Sequence, residues 1–163
     1  MSQIIIQTGS AVDLRQTADL INEIIAIGGT TAITKPLSRE EIEGWLLGDP
    51  DRSVWHVAMD ADGNVLGFQW VGPFGDLPPE ACEIGTFVKA GRTGFGIGSK
   101  LFEATKLAAR LLGYDWINAE IRADNVSGLA YYQSRSFEIY GRKDGLVLED
   151  GSEVSKVLKR YNL

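Results

Sequence analysis

The chain has a single cysteine, Cys82, and a single histidine, His56. One thiol excludes an internal disulfide and a zinc site built from several thiolates. A nucleophilic Cys82 would depend on the one histidine for activation, so Cys82 reads as a small buried residue entering a strand. His56 falls in the alternating run Val54, His56, Ala58 with no partner nearby in sequence, and reads as a structural or surface histidine. Positive charge is also short. Sixteen Lys and Arg against 22 Asp and Glu give a net charge of −6. A basic footprint for nucleic acid is therefore absent, and an anionic membrane is a poor partner. No apolar run approaches the roughly 20 residues of a membrane helix. Met1 to Gly9 lacks the basic and then apolar pattern of a signal peptide. These absences predict a cytoplasmic, reducing location with neither nucleic acid nor membrane as partner.

What is present is a globular composition, 44% hydrophobic and 23% charged over 163 residues, with no repeat, low-complexity tract or linker. One domain spanning 1–163 is expected. Ile4 to Ile6 open a β-branched strand. Leu14, Ala18, Ile21 and Ile25 then recur at helical spacing, and Gly28-Gly29 stops that helix. Thr30 to Pro36 reads as an extended loop. Ser38 and Glu41 form a capping box for a second helix that carries Ile42, Trp45 and Leu46 and ends at Gly48. Val54 to Met59 and the alternating Leu66, Phe68 and Trp70 predict a hairpin about Asp60–Asn64. Glu83 to Val88 is a strand, Leu101, Phe102, Thr105, Ala108 and Leu112 mark the inner face of a helix, and Trp116 to Arg122 is the next strand. Strand, helix, strand in this order implies a parallel pair with a right-handed crossover. A short helix from Asn125 to Ser134 and a closing hairpin, Phe137–Leu148 with Val154–Tyr161, complete an α/β chain with a mixed sheet.

The segment Arg92-Thr93-Gly94-Phe95-Gly96-Ile97-Gly98-Ser99-Lys100 lies between a strand and a helix. The first amides of a helix have no intrahelical acceptor and point at a site where the dipole favours negative charge. Glycines let an anion approach that backbone closely. The competing phosphate motifs fail by spacing. In G-x-G-x-x-G counted from Gly94 and Gly96, the last glycine falls on Ser99, and counted from Gly91, the second falls on Thr93. A Walker loop needs Gly-Lys-Ser or Gly-Lys-Thr, but Gly96 is followed by Ile97. A plain tight turn remains the bland alternative.

Val88 to Leu101 resembles motif A of the GNAT acetyltransferase superfamily, Q/R-x-x-G-x-G/A after a valine-containing strand. The stretch Asn125-Val126-Ser127-Gly128-Leu129-Ala130-Tyr131-Tyr132-Gln133-Ser134-Arg135-Ser136-Phe137 is similar to the superfamily's N-x-x-A-x-x-(L/F)-Y-x-x-x-G-F. Thr93 stands in the Q/R position with Arg92 one residue early, and Ser136 replaces the usual glycine. The loop and helix Thr30 to Trp45 look like the branch that includes phosphinothricin and methionine sulfone acetyltransferases.

The resemblance implies a mixed, mostly antiparallel sheet with a splayed parallel fourth and fifth strand and helices on both faces. It implies acetyl-CoA as cosubstrate, no metal, a small primary amine such as an amino acid or analogue as acceptor, and a homodimer as a plausible assembly. By resemblance Glu83 takes the role of general base and Tyr132 that of general acid toward the coenzyme A sulfur. The backbone of Thr86, Phe87 and Val88 pairs with the pantetheine. The amides of Gly94, Phe95, Gly96, Ile97, Gly98 and Ser99 hold the pyrophosphate, with Arg92 or Lys100 adding charge. Asn125 meets the pantetheine, caps its helix, or does both. Tyr131 is expected to point elsewhere, since adjacent helical residues do not share a face. Trp70, Phe74 and Thr31 are candidates for the acceptor pocket. Two alternatives stay open: a non-catalytic acyl-CoA sensor, and a protein N-terminal acetyltransferase.

Overall fold

The computed structural model describes residues 3–163. Met1 and Ser2, the start of the segment considered as a signal peptide, lie outside the described residues. In chain order the elements are β1 (Ile5–Thr8), a 3-10 turn at Ala11–Asp13, α1 (Leu14–Ile27), α2 (Arg39–Leu47), β2 (Val54–Met59), β3 (Val65–Gly72) and β4 (Ala81–Val88). They are followed by α3 (Ile97–Leu111), β5 (Trp116–Arg122), α4 (Val126–Ser134), β6 (Glu138–Val147) and β7 (Glu153–Asn162). The strands, seven among the described residues, form one sheet in the order β1-β2-β3-β4-β5-β7-β6. Neighbours are antiparallel except β4 with β5, as the strand-helix-strand order predicts.

Local signals place the helix ends. Ser38 Oγ accepts from the Glu41 amide at 3.1 Å and the Glu41 carboxylate accepts from the Ser38 amide at 3.0 Å, so the capping box of α2 is complete. Gly28, with φ of 77°, ends α1. Asn125 caps α4 by accepting from the Gly128 amide at 3.0 Å.

Helices cover both faces. On one face α1 and α2 bury Leu14, Ile21, Ile25, Ile42 and Leu46 against Trp55, Phe68 and Trp70. On the other, Phe102, Ala109, Tyr132 and Phe137 pack on Cys82, Ile84 and Ile117. The buried helical position in α3 is Ala109, whereas Ala108, expected inside, is only half-buried. Lys159 of β7 is buried and donates to the Leu129 carbonyl at 3.1 Å, which ties α4 to the sheet.

Two further sequence expectations need correction. The alternation of Leu66, Phe68 and Trp70 predicts one shared face, but Leu66 packs with Ile97 and Leu101 on the α3 side while Phe68 and Trp70 face α1 and α2. The cause is a bulge: Ala58 pairs with Gly67 and Met59 with Val65, which leaves Leu66 as the extra residue and breaks the period of two. The second correction concerns Tyr131, which turns inward toward the cleft.

Candidate active site

The ladder between β4 and β5 has only three rungs: Ala81 with Trp116, Cys82 with Ile117, and Glu83 with Asn118. Beyond Glu83 the two strands part. On its other side β4 stays paired with β3 from Glu83 through Val88. The edge of β4 from Ile84 to Val88 that faces β5 therefore has no strand partner, and its free backbone groups are those an extended ligand chain can pair with. The opening leads into a cleft of about 1110 Å³. That exceeds the 300–1,000 Å³ usual for one small ligand and suits two substrates at once.

At one end of the cleft lies the glycine turn. Gly91, Gly94 and Gly96 all have positive φ, and Gly96 is the N-cap of α3 in the left-handed conformation with φ of 78°. The first intrahelical bond of α3 runs from the Lys100 amide to the Gly96 carbonyl at 3.1 Å. The amides of Ile97, Gly98 and Ser99 thus have no intrahelical acceptor, and these residues line the cleft. A Cβ built on Gly94 or Gly96 meets nothing within 4 Å, so the space beside this backbone is open to a ligand. Arg92 and Thr93 also line the cleft, whereas Lys100 does not. Phe95, expected among the cradle residues, is exposed and does not line the cleft. The other expected residues do: Glu83, Thr86, Phe87, Val88, Gly94, Gly96, Ile97, Gly98, Ser99, Asn125 and Tyr132.

Glu83 sits on the last rung, at the point where the sheet forks. Strand alternation puts Glu83, Gly85 and Phe87 on the α1–α2 face and Cys82, Ile84 and Thr86 on the α3–α4 face. Glu83 is only 7% exposed. Asn118 Nδ2 donates to its Oε1 at 2.6 Å and the Glu120 amide donates to its Oε2 at 3.1 Å. Burial pushes its carboxyl up to about 8; the Asn118 bond and Lys156 oppose that rise, and the Glu120 charge adds to it.

Tyr132 approaches from the other face. Its hydroxyl lies 2.7 Å from Thr86 Oγ1. Burial raises its pKa, so the phenol stays protonated at neutral pH. Gln69 Nε2 donates to Thr86 Oγ1 at 2.9 Å and to the Tyr131 hydroxyl at 3.1 Å. Tyr131 in turn donates to the Gly98 carbonyl at 2.7 Å, and burial pushes its hydroxyl up to about 12. Tyr131 does not point elsewhere. Neighbours on a helix are about 100° apart, and the cleft is wide enough to take one phenol against β4 and the other against α3. Gly98 makes room for it, since a Cβ there would lie 2.6 Å from the Tyr131 ring.

The cleft continues past Glu83 between Trp45, Trp70 and Phe74, with Thr31 at its rim. The loop carrying Thr31 is strapped across the fork: Arg122 donates to the Thr31 carbonyl at 3.2 Å, Asn125 to the Thr30 carbonyl at 3.2 Å, and the Asp150 amide to Thr34 Oγ1 at 3.2 Å. Lys156, the cross-strand neighbour of Arg122, also lines the cleft. His56 is buried and lies off the cleft, and burial pushes the Cys82 thiol up to about 12, leaving it unreactive.

A sheet that forks beside a glycine-capped helix, with a cleft between, is the architecture of N-acetyltransferases. A solved N-acetyltransferase from Staphylococcus aureus Mu50 superposes with a TM-score of 0.88 at 22% identity, over 99% of each chain. A GNAT superfamily phosphinothricin acetyltransferase from Sinorhizobium meliloti, solved in complex with AcCoA, superposes with a TM-score of 0.86 at 21% identity, over 98% of this chain and 88% of that one. In sequence, the Bacillus subtilis (strain 168) protein named "Putative phosphinothricin acetyltransferase YwnH" is 28% identical over 153 residues, 93% of this chain and 90% of that protein. The chain belongs to the Acetyltransferase (GNAT) family, whose profile matches residues 21–137.

Several residues of the site were not picked out from the sequence. Asn118, Glu120, Gln69 and Lys156 are spread over three strands, and only the register brings them to Glu83 and Tyr132. A polar residue at alternate positions of an otherwise apolar strand, as in Ile117-Asn118-Ala119-Glu120-Ile121-Arg122, is the signal that was available.

Proposed function

We propose that residues 1–163 form one acetyl-CoA-dependent N-acetyltransferase domain acting on the primary amine of a small molecule, an amino acid or analogue, in a cytoplasmic setting. The observation that carries this reading is the bracket at the fork. A buried carboxyl on one face of β4 and a buried phenol on the other flank the opening where β4 has lost its partner.

The residues present fit the coenzyme. The free amides of α3 and Arg92 suit its pyrophosphate, and the open edge from Ile84 to Val88 suits its pantetheine. When bound, acetyl-CoA supplies the acetyl group as a thioester. Glu83, in its ionised form, takes a proton from the incoming ammonium, directly or through water, since a free amine of pKa ~10 is mostly charged at neutral pH and only the neutral amine attacks. A carboxyl raised to about 8 is a stronger base than an ordinary one. Tyr132 gives its proton to the departing sulfur as the new C–N bond replaces C–S, the second proton shed by the nitrogen restores the phenol through solvent, and the neighbours of Tyr132 favour its transfer. Thr86 Oγ1 accepts from Gln69, so the threonine proton is free to point at the Tyr132 oxygen and leave the phenol proton facing the opening. For the acceptor, the aromatic walls of Trp45, Trp70 and Phe74 suit an apolar side chain, and Lys156, with no ion pair among the described residues, suits a carboxylate.

The test is thiol release from acetyl-CoA over a panel of amino acids, their decarboxylated amines and short peptides. Amino-acid acceptors are expected to accelerate release, and Tyr132→Phe is expected to lower kcat about 100-fold with coenzyme binding intact. A protein that neither binds nor turns over acetyl-CoA sinks the reading. Tight binding with no turnover, unchanged by Glu83→Gln, marks a sensor.

A further inference from the structure

Glu83 does not stand alone at the fork. Asn118 is 2% exposed, and both ends of its amide are engaged. Nδ2 donates to Glu83 Oε1 at 2.6 Å, and Oδ1 accepts from the Tyr140 hydroxyl. Tyr140 is the extra residue of a bulge in β6, between Ile139 paired with Lys159 and Gly141 paired with Leu158. The bulge re-aims its side chain across β7 toward β5. An uncharged amide accepts from a phenol and donates to a carboxylate together, which neither a carboxylate nor an ammonium in its place could do. The ionised Glu83 carboxylate sets the amide orientation, because it only accepts and so takes the NH2, which leaves Oδ1 for the Tyr140 hydroxyl to donate to.

From this geometry we infer that Asn118, backed by Tyr140, is a positioning residue that orients the Glu83 carboxyl at the fork and favours its ionised form. The inference rests on the reading of Glu83 as general base for its catalytic consequence, though not for the contact itself. The second Glu83 oxygen is held by a backbone amide that no side-chain change removes, so Asn118 is the adjustable half of the clamp. The charged and titratable groups around Glu83 are Glu120 on β5, Lys156 on β7, Lys143 and Tyr140 on β6, Cys82 beside it on β4, and Tyr132 on α4. Glu120 is itself paired with Lys143 at 2.7 Å. Against that background, loss of the Asn118 donor leaves burial less opposed, and the Glu83 proton is held more tightly.

The experiment follows the Glu83 carboxyl by carbon NMR in protein labelled at glutamate, with Glu83→Gln assigning the signal, alongside the pH profile of kcat/KM. Asn118→Leu is expected to move the Glu83 titration upward by about one unit. The acid limb of kcat/KM follows, so the variant is about tenfold slower on that limb and recovers on the high-pH plateau, with KM for acetyl-CoA unchanged. Tyr140→Phe, at a partly exposed position that tolerates the change, is expected to move the titration the same way by less. It decides the matter should Asn118→Leu fail to fold. A Glu83 titration unmoved in the folded variants overturns the inference. A moved titration with an unmoved limb upholds the clamp and removes Glu83 from the role of base.

Discussion

Ser136 has a φ of 71°, the one non-glycine residue with positive φ among the described residues. It follows α4 and lets Phe137 drop back onto Phe102 and Tyr132. The family pattern has glycine there, and the serine keeps the conformation at a cost in strain of about 1 kcal/mol. Ser136→Gly is therefore expected to stabilise the protein by about 0.5 kcal/mol, after subtracting the extra freedom glycine gives the unfolded chain. Chemical denaturation checks this, and a loss of stability would contradict it. The departure itself was legible in advance, because it is defined by the chain around it, but the left-handed state that Ser136 adopts was not. Asn125 was legible for a similar reason, since a capping residue acts on its own helix. Asn118 was not. Its role is set by partners 35 and 22 residues away, Glu83 and Tyr140, and local pattern carries nothing about them.

At the scale of the element, the glycine turn and α3 carry the most weight. A left-handed residue at Gly94, with φ of 87°, costs little as glycine and about 1–2 kcal/mol with a Cβ. The turn in Gly94→Ala either keeps its shape under strain or relaxes and moves the amides ahead of α3. Acetyl-CoA affinity is expected to fall about tenfold, since about 1.4 kcal/mol is a factor of ten. The melting temperature without ligand should move by only a few degrees, because the space around the new Cβ is open. Calorimetric titration reads the first and a thermal melt the second; unchanged affinity would mean the turn does not shape the anion site. Helices and strands were legible at this scale wherever the apolar period ran unbroken. The failure in β3 came where a bulge inserted one residue, and a bulge leaves no mark in an alternating pattern beyond its own break.

Across the whole molecule the ionised groups pull in two directions. Asp60, Asp124, Asp144, Asp150 and Glu41 are held below their usual values by hydrogen bonds, so their support is present at neutral pH and is lost as pH falls through their folded values. Glu83 works oppositely. Its folded value of about 8 lies above the unfolded value, so between the two the folded state binds the extra proton. Stability is expected to decline as pH rises from about 4.5 toward 8, and to level off above it. Glu83→Gln should flatten that decline and leave the acid side unchanged, which melting curves across pH will show. An unaltered slope in the variant would place the cause elsewhere.

The fork in the sheet has a mechanical side. Three rungs join the half of the sheet that carries β1 to β4 to the half that carries β5 to β7. A slot cut part-way into a plate gathers stress at its tip, and the tip here is the Glu83–Asn118 rung. Any load that pries the halves apart falls first on that rung and on the strap from Thr30 to Thr34, and only later on the long ladders to either side. The proton-handling group therefore stands where the molecule is poised to tear, and a ligand lying in the slot acts as a stitch across it.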